Sequence, residues 1–148
     1  MKEKEMAELA EKAVEAAKFW KMDLDYTAES LEAVDLLAQT VYQIHVNQPL
    51  PVEYRLSVAN LYGAYLGEVL LRSGLEELNF AWMVDKKGII GIGGEDIWTA
   101  PVAKVFKRIT KGPEHDLMSY FELVYGLAIG AVNLDDPRLH ILSEEETA

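Results

Sequence analysis

Apolar positions along the chain recur first at helical and then at alternating spacing. Met6, Leu9, Ala10, Ala13, Val14, Ala17 and Trp20 fall on one stripe of a helix predicted over about residues 2–22, with Glu and Lys elsewhere. Asp23-Leu24-Asp25-Tyr26 breaks that period, and Thr27 reads as an N-cap followed by Glu29 in the first turn. A second helix is predicted from about residue 28 to 46, burying Leu31, Val34, Leu37, Ala38, Val41 and Ile44. Pro49 and Pro51 force a loop. The third helix, about residues 52–72, is apolar over most of its surface, which marks it as central, and it ends at Gly74.

The period then falls to two. Leu78, Phe80, Trp82 and Val84 alternate with Asn79, Ala81, Met83 and Asp85, the pattern of a strand. Asp85-Lys-Lys-Gly88 reads as a hairpin turn, Ile89–Ile92 as the return strand, and residues 96–98 as a short third strand. Two further helices follow, about residues 100–111 and 114–129, each with a proline near its start. Asn133–Pro137 reads as a turn, and residues 143–148 as a frayed acidic tail. The expectation is a mainly helical α+β fold: one domain over residues 1–142, about five helices, and an antiparallel hairpin or small sheet (about 77–98) between the third and fourth.

Two glycines in the third helix, Gly63 and Gly67, stand one turn apart. Each costs roughly 0.5–1 kcal/mol against alanine in a helix interior, so something must offset it. Close packing of another helix or of the hairpin aromatics is the expected reason. Glu68 sits in the same apolar run, one turn before Arg72, and is expected to form an i,i+4 pair with it.

Half of the 148 residues are hydrophobic and 26% are charged, an ordinary globular balance. The absence of cysteine removes disulfides, thiolate nucleophiles and Cys-based metal sites, and suits a reducing compartment. No signal peptide or membrane span is legible, so a cytoplasmic protein is expected. The net charge of −11 repels nucleic-acid phosphates and favours a basic protein partner. The acids gather towards both ends, whereas residues 76–112 carry five acids and six bases.

Catalytic motifs are missing. His45, His115 and His140 have no metal-type spacing, and no serine sits in a nucleophile elbow. The glycines from Gly88 to Gly94 lack the following Lys-Ser/Thr of a phosphate loop, and Glu95-Asp96 would repel a phosphate. Lys104, Lys107, Arg108 and Lys111 form a positive stripe on the fourth helix, expected to be a solvated face, with anion binding as the alternative. No cofactor and no metal are implied.

LDYTAESLEAVDLLAQ, YGAYLGEVLLRSG, the Trp-bearing hairpin and APVAKVFKRITKGPEHDLMSYFE together resemble a small bacterial domain of unknown function over most of residues 20–125. Some similar proteins look like immunity proteins that neutralise a toxin. On that resemblance Asp35, Gly63, Gly67, Glu68, Trp82 and Pro101 are signature positions, and no chemistry is implied.

Two functions are therefore expected. One is a non-catalytic binding module that docks a basic, toxin-like protein. The other is a small ligand-binding protein or hydrolase, with a pocket between the third helix and the hairpin lined by Asn60, Tyr65, Glu68 and Trp82. A homodimer through the first helix is compatible with either.

Overall fold

A computed structural model describes residues 2–94 and 97–131. These form five α-helices, α1 (Lys2–Lys18), α2 (Leu31–Asn47), α3 (Val52–Leu70), α4 (Pro101–Lys111) and α5 (Leu117–Ala128). Between α3 and α4 lies an antiparallel sheet of β1 (Ala81–Val84), β2 (Ile90–Gly94) and β3 (Ile97–Thr99), in that spatial order. The fold is mainly helical α+β, and the buried apolar side chains of helices and sheet make one core. The expected turn at residues 133–137, the tail at 143–148 and His140 lie outside the described residues. Among the described residues, no helix is long and apolar enough to cross a membrane.

Helix α3 is the centre of the fold. Nine consecutive residues, Tyr62–Leu70, are buried, because α1 packs on one side of it and α4 on another. Its first half is different: Val52, Tyr54 and Leu56 are exposed. At the far end the chain leaves through a wide turn, Leu71–Leu75, where Gly74 takes φ 137°, a conformation that favours glycine.

The glycine question has a steric answer. A Cβ on Gly63 would lie 2.4 Å from the Val102 Cα at the start of α4. A Cβ on Gly67 would lie 2.2 Å from the Trp82 ring and 3.1 Å from the Ile92 side chain. Bare backbone lets α4 and the sheet seat against α3 at van der Waals distance, and the dispersion gained offsets the glycine entropy. The β2 glycines work similarly. Trp98, Met83 and Phe80 occupy the space that Cβ atoms on Gly91, Gly93 and Gly94 would need. Their bare backbone is thus taken up by neighbouring side chains.

Local signals placed most boundaries. The Thr27 hydroxyl accepts from the Ser30 N–H, and Asp116 caps α5 by accepting from the Met118 and Ser119 N–H groups. Asp85 Oδ1 accepts from the Lys87 and Ile89 N–H groups in the hairpin turn, with Gly88 at φ 84°. Three expectations are corrected. Helix α1 stops at Lys18, so Trp20 leaves the buried stripe and is 64% exposed. The β1 alternation is shorter than its sequence pattern: Phe80 and Trp82 are buried, whereas Leu78 precedes the strand and Val84 ends it beside the hairpin turn, both exposed.

The third correction concerns the basic stripe of α4, which is not a solvated face. Lys104, Lys107 and Arg108 are buried and only Lys111 is exposed, because α4 is covered by α3, α2, α5 and β2 together.

Candidate functional site

Glu68 is buried near the C-terminal end of α3, and both of its oxygens are engaged. Oε2 accepts from the Trp82 indole N–H at 2.8 Å, and Oε1 accepts from Arg72 Nε and Nη2 at 3.2 and 3.0 Å. The Arg72 guanidinium lies 3.7 Å above the Tyr26 ring. Tyr26 in turn packs on Tyr65 with ring centroids 4.9 Å apart. The Tyr65 hydroxyl accepts from the Tyr26 backbone N–H at 2.8 Å and shares a 2.6 Å hydrogen bond with Ser30 Oγ. Burial pushes the Tyr26 and Tyr65 phenols above their ordinary pKa values, although hydrogen bonds from Ser30 and Tyr26 oppose the shift at Tyr65.

The structure thus brings together three of the four expected site residues, Tyr65, Glu68 and Trp82, in one network. Asn60 stands apart on the exposed side of α3. The hollow expected between α3 and the hairpin is filled at this point by the Trp82 ring against Gly67. With both oxygens held by an indole and a charged guanidinium, this carboxylate is fixed in a structural network. The arrangement welds the sheet and the α1–α2 connection to α3.

Glu68→Gln is expected to keep the fold and lower stability by about 1–2 kcal/mol, read from the urea midpoint. The amide oxygen can still accept from Trp82, while Arg72, which is partly exposed, loses a charged partner but regains water.

A second buried cluster joins α2, α4 and α5. Arg108 donates through Nε and Nη2 to both Asp35 oxygens, at 2.9 and 3.1 Å, and through Nη2 to Gln39 at 2.8 Å. Asp35 Oδ1 also accepts from the Leu117 N–H at the start of α5. Arg108 Nη1 is buried with no hydrogen-bond partner among the described residues. Lys104 Nζ lies 5.6 Å from the Tyr120 ring centre, and the Tyr120 and Thr99 hydroxyls are hydrogen-bonded to each other.

The open space lies elsewhere. Consecutive helices α2 and α3 meet only sparsely, since each packs instead on α4. A cavity of about 620 Å³ opens between them. Val105 and Ile109 of α4 form its floor, and Val34 and Ala38 of α2 face Val58 and Leu61 of α3 across it. Trp20 and Met22, beyond α1, also line it. None of the lining residues is charged. Its side-chain polar groups are the Trp20 indole N–H and the hydroxyls of Thr40, Tyr54, Ser57 and Tyr62, and Thr40 is turned to the Leu36 carbonyl.

Tyr62 is buried as a residue, but its hydroxyl is not among the buried side-chain atoms that lack a partner. Burial, with a smaller contribution from Tyr54 nearby, pushes its phenol up. A smaller hollow of about 470 Å³ lies between α4 and the hairpin, where Ile89, Trp98, Phe106 and Lys111 face it.

Periodicity at the sequence level points to the α2 and α3 apolar faces but not to their separation. The signal that was present is a second apolar stripe on the first half of α3, through Tyr54, Val58, Leu61 and Tyr62, which exceeds what α1 and α4 cover. No group of histidine, aspartate and glutamate side chains that could hold a metal ion occurs among the described residues. Comparison with known proteins finds no matching family model, no matching curated protein and no matching solved structure.

Proposed function

We propose that this protein is a non-catalytic binding protein that takes a small, largely apolar molecule into the groove between α2 and α3. The observation that carries this reading is the groove itself: about 620 Å³, uncharged, floored by fully buried residues and framed by helices that do not close on one another. Concave, mostly apolar hollows of roughly 300–1,000 Å³ with a few convergent polar groups are the usual form of small-molecule sites. Exposed Trp20, Leu36, Ile44 and Tyr54 extend its apolar rim, more than isolated surface residues would leave uncovered.

The test is to fill the mouth without disturbing the core. Ser57 is exposed on α3 and lines the groove, so Ser57→Trp should leave the unfolding midpoint nearly unchanged. Binding of a naphthalene-type probe, read by equilibrium dialysis, should fall at least about tenfold, since roughly 1.4 kcal/mol of lost contact suffices for that. Undiminished binding in the blocked variant removes this reading.

A second reading, a module that docks a basic protein as the immunity-like resemblance implies, is favoured by the net charge of −11. Phe19, 89% exposed beside Trp20, would be its apolar anchor. Steering by opposite charge makes such an association salt-sensitive. Equal association with a basic candidate partner at low and high salt counts against it.

A further inference from the structure

We infer that the second hollow, between α4 and the hairpin, binds a singly charged anion on an apolar body, such as an aromatic carboxylate. This site lies apart from the α2–α3 groove, and the inference goes beyond the reading given for that groove.

The body of the guest follows from the walls. Leu56 of α3 and Ile89 of the hairpin are each 44% exposed and line the hollow, and Trp98 and Phe106 add two aromatic side chains. The Trp98 ring is held in place, since it lies in the space that a Cβ on Gly91 would need. A hollow of about 470 Å³ walled in this way suits a small apolar body.

The charge of the guest follows from what stands around the same walls. Lys111, exposed at the end of α4, lines the hollow, and Lys86 and Lys87 occupy the turn between its lining residues Asp85 and Ile89. Arg55 adds a fourth cation. Its guanidinium donates through Nε to the Leu50 carbonyl at 3.2 Å and through Nη1 to the hydroxyl of lining Thr110 at 3.0 Å, and it lies 5.2 Å from the Phe106 ring centre. Both of those acceptors are neutral, so they fix the guanidinium without cancelling its charge.

None of these four cations forms an ion pair among the described residues. Among those residues Asp85 is the one acid on the lining, and its Oδ1 is already engaged by the Lys87 and Ile89 N–H groups. The result is a positive rim on a chain whose net charge is −11. Such a rim draws an anion and repels a cation, and the apolar walls reward a body behind the charge. The uncharged α2–α3 groove has no such preference.

The test uses the full chain carrying Ser57→Trp, which closes the α2–α3 groove at a residue that does not line the second hollow. Equilibrium dialysis compares 2-naphthoate with its neutral amide, 2-naphthamide, and with 2-naphthylmethylammonium. Naphthoate should bind about three- to tenfold more tightly than the amide, the span for one partly exposed charge-assisted contact, and the ammonium most weakly. High salt should shrink the naphthoate preference, because exposed charges are screened. Adding Lys111→Glu should cut the preference to near unity and leave amide affinity unchanged, which also shows that the variant is folded. Adding Ala103→Trp, which fills the hollow from its α4 wall, should abolish binding of both probes.

Absence of naphthoate binding, equal affinity for naphthoate and amide, or tighter binding of the ammonium overturns the inference. So does a preference unmoved by high salt or by Lys111→Glu, and so does naphthoate binding that survives Ala103→Trp at an unchanged urea midpoint. Each of these leaves the α2–α3 reading standing, since that is decided by the neutral probe in the wild-type chain and its Ser57→Trp variant.

Discussion

Asp35→Ala is expected to lower the free energy of unfolding by about 3 kcal/mol, the lower part of the range for breaking a buried ion pair. Arg108 is 3% exposed, and its side chain has nowhere to carry its charge once Asp35 is gone. Gln39 would remain as a single neutral acceptor, Nη1 is already without a partner among the described residues, and the Leu117 N–H at the start of α5 would lose its acceptor as well. The Asp35 side chain is itself 23% exposed, so water can partly replace it, and this keeps the loss from reaching the upper end. Urea unfolding followed by circular dichroism gives the number. Asp35→Leu combined with Arg108→Met should recover much of the loss, because removing both charges leaves no orphan. A double variant as unstable as Asp35→Ala would mean that the pair contributes through packing instead.

Gly63→Ala is expected to cost about 2–3 kcal/mol, although alanine is the better helix former. The substitution gains up to about 1 kcal/mol of helix propensity. Against this, the new methyl would meet the Val102 Cα at 2.4 Å, and a backbone atom cannot swing aside as a side-chain end can. The first turn of α4 must shift bodily, and overpacking of this kind costs 1–3 kcal/mol and sometimes more. The same shift would move Val105 and Ile109, so probe affinity should fall together with the urea midpoint. A stabilised Gly63→Ala chain would show that the α3–α4 contact is looser than the structure has it.

Much of this architecture was legible from sequence because it depends on local rules. Prolines 49 and 51, the Thr27 cap and the Asp85–Gly88 turn fix where elements start and stop, and the change of period at residue 78 announces the sheet. Gly63 and Gly67 could be assigned a steric role because a helix carrying such a cost needs a close neighbour. Which neighbour meets which glycine depends on how separate elements dock, and periodicity carries no such information. The α4 stripe shows the same limit more sharply. Charged residues at helical spacing read as a wet face unless one knows that Asp35, seventy-three residues earlier, supplies the counter-charge. Glu68 was visible as unusual; the Trp82 indole that occupies it was not. The groove was least legible of all, since it arises from a separation between helices and not from any residue type.

Helix α4 grips α3 at the glycine seam and α2 through Arg108, so both flanks of the groove are fastened from beneath, while α2 and α3 meet each other directly only sparsely. Loosening the α3–α4 seam should therefore disturb the floor and both flanks of the groove together.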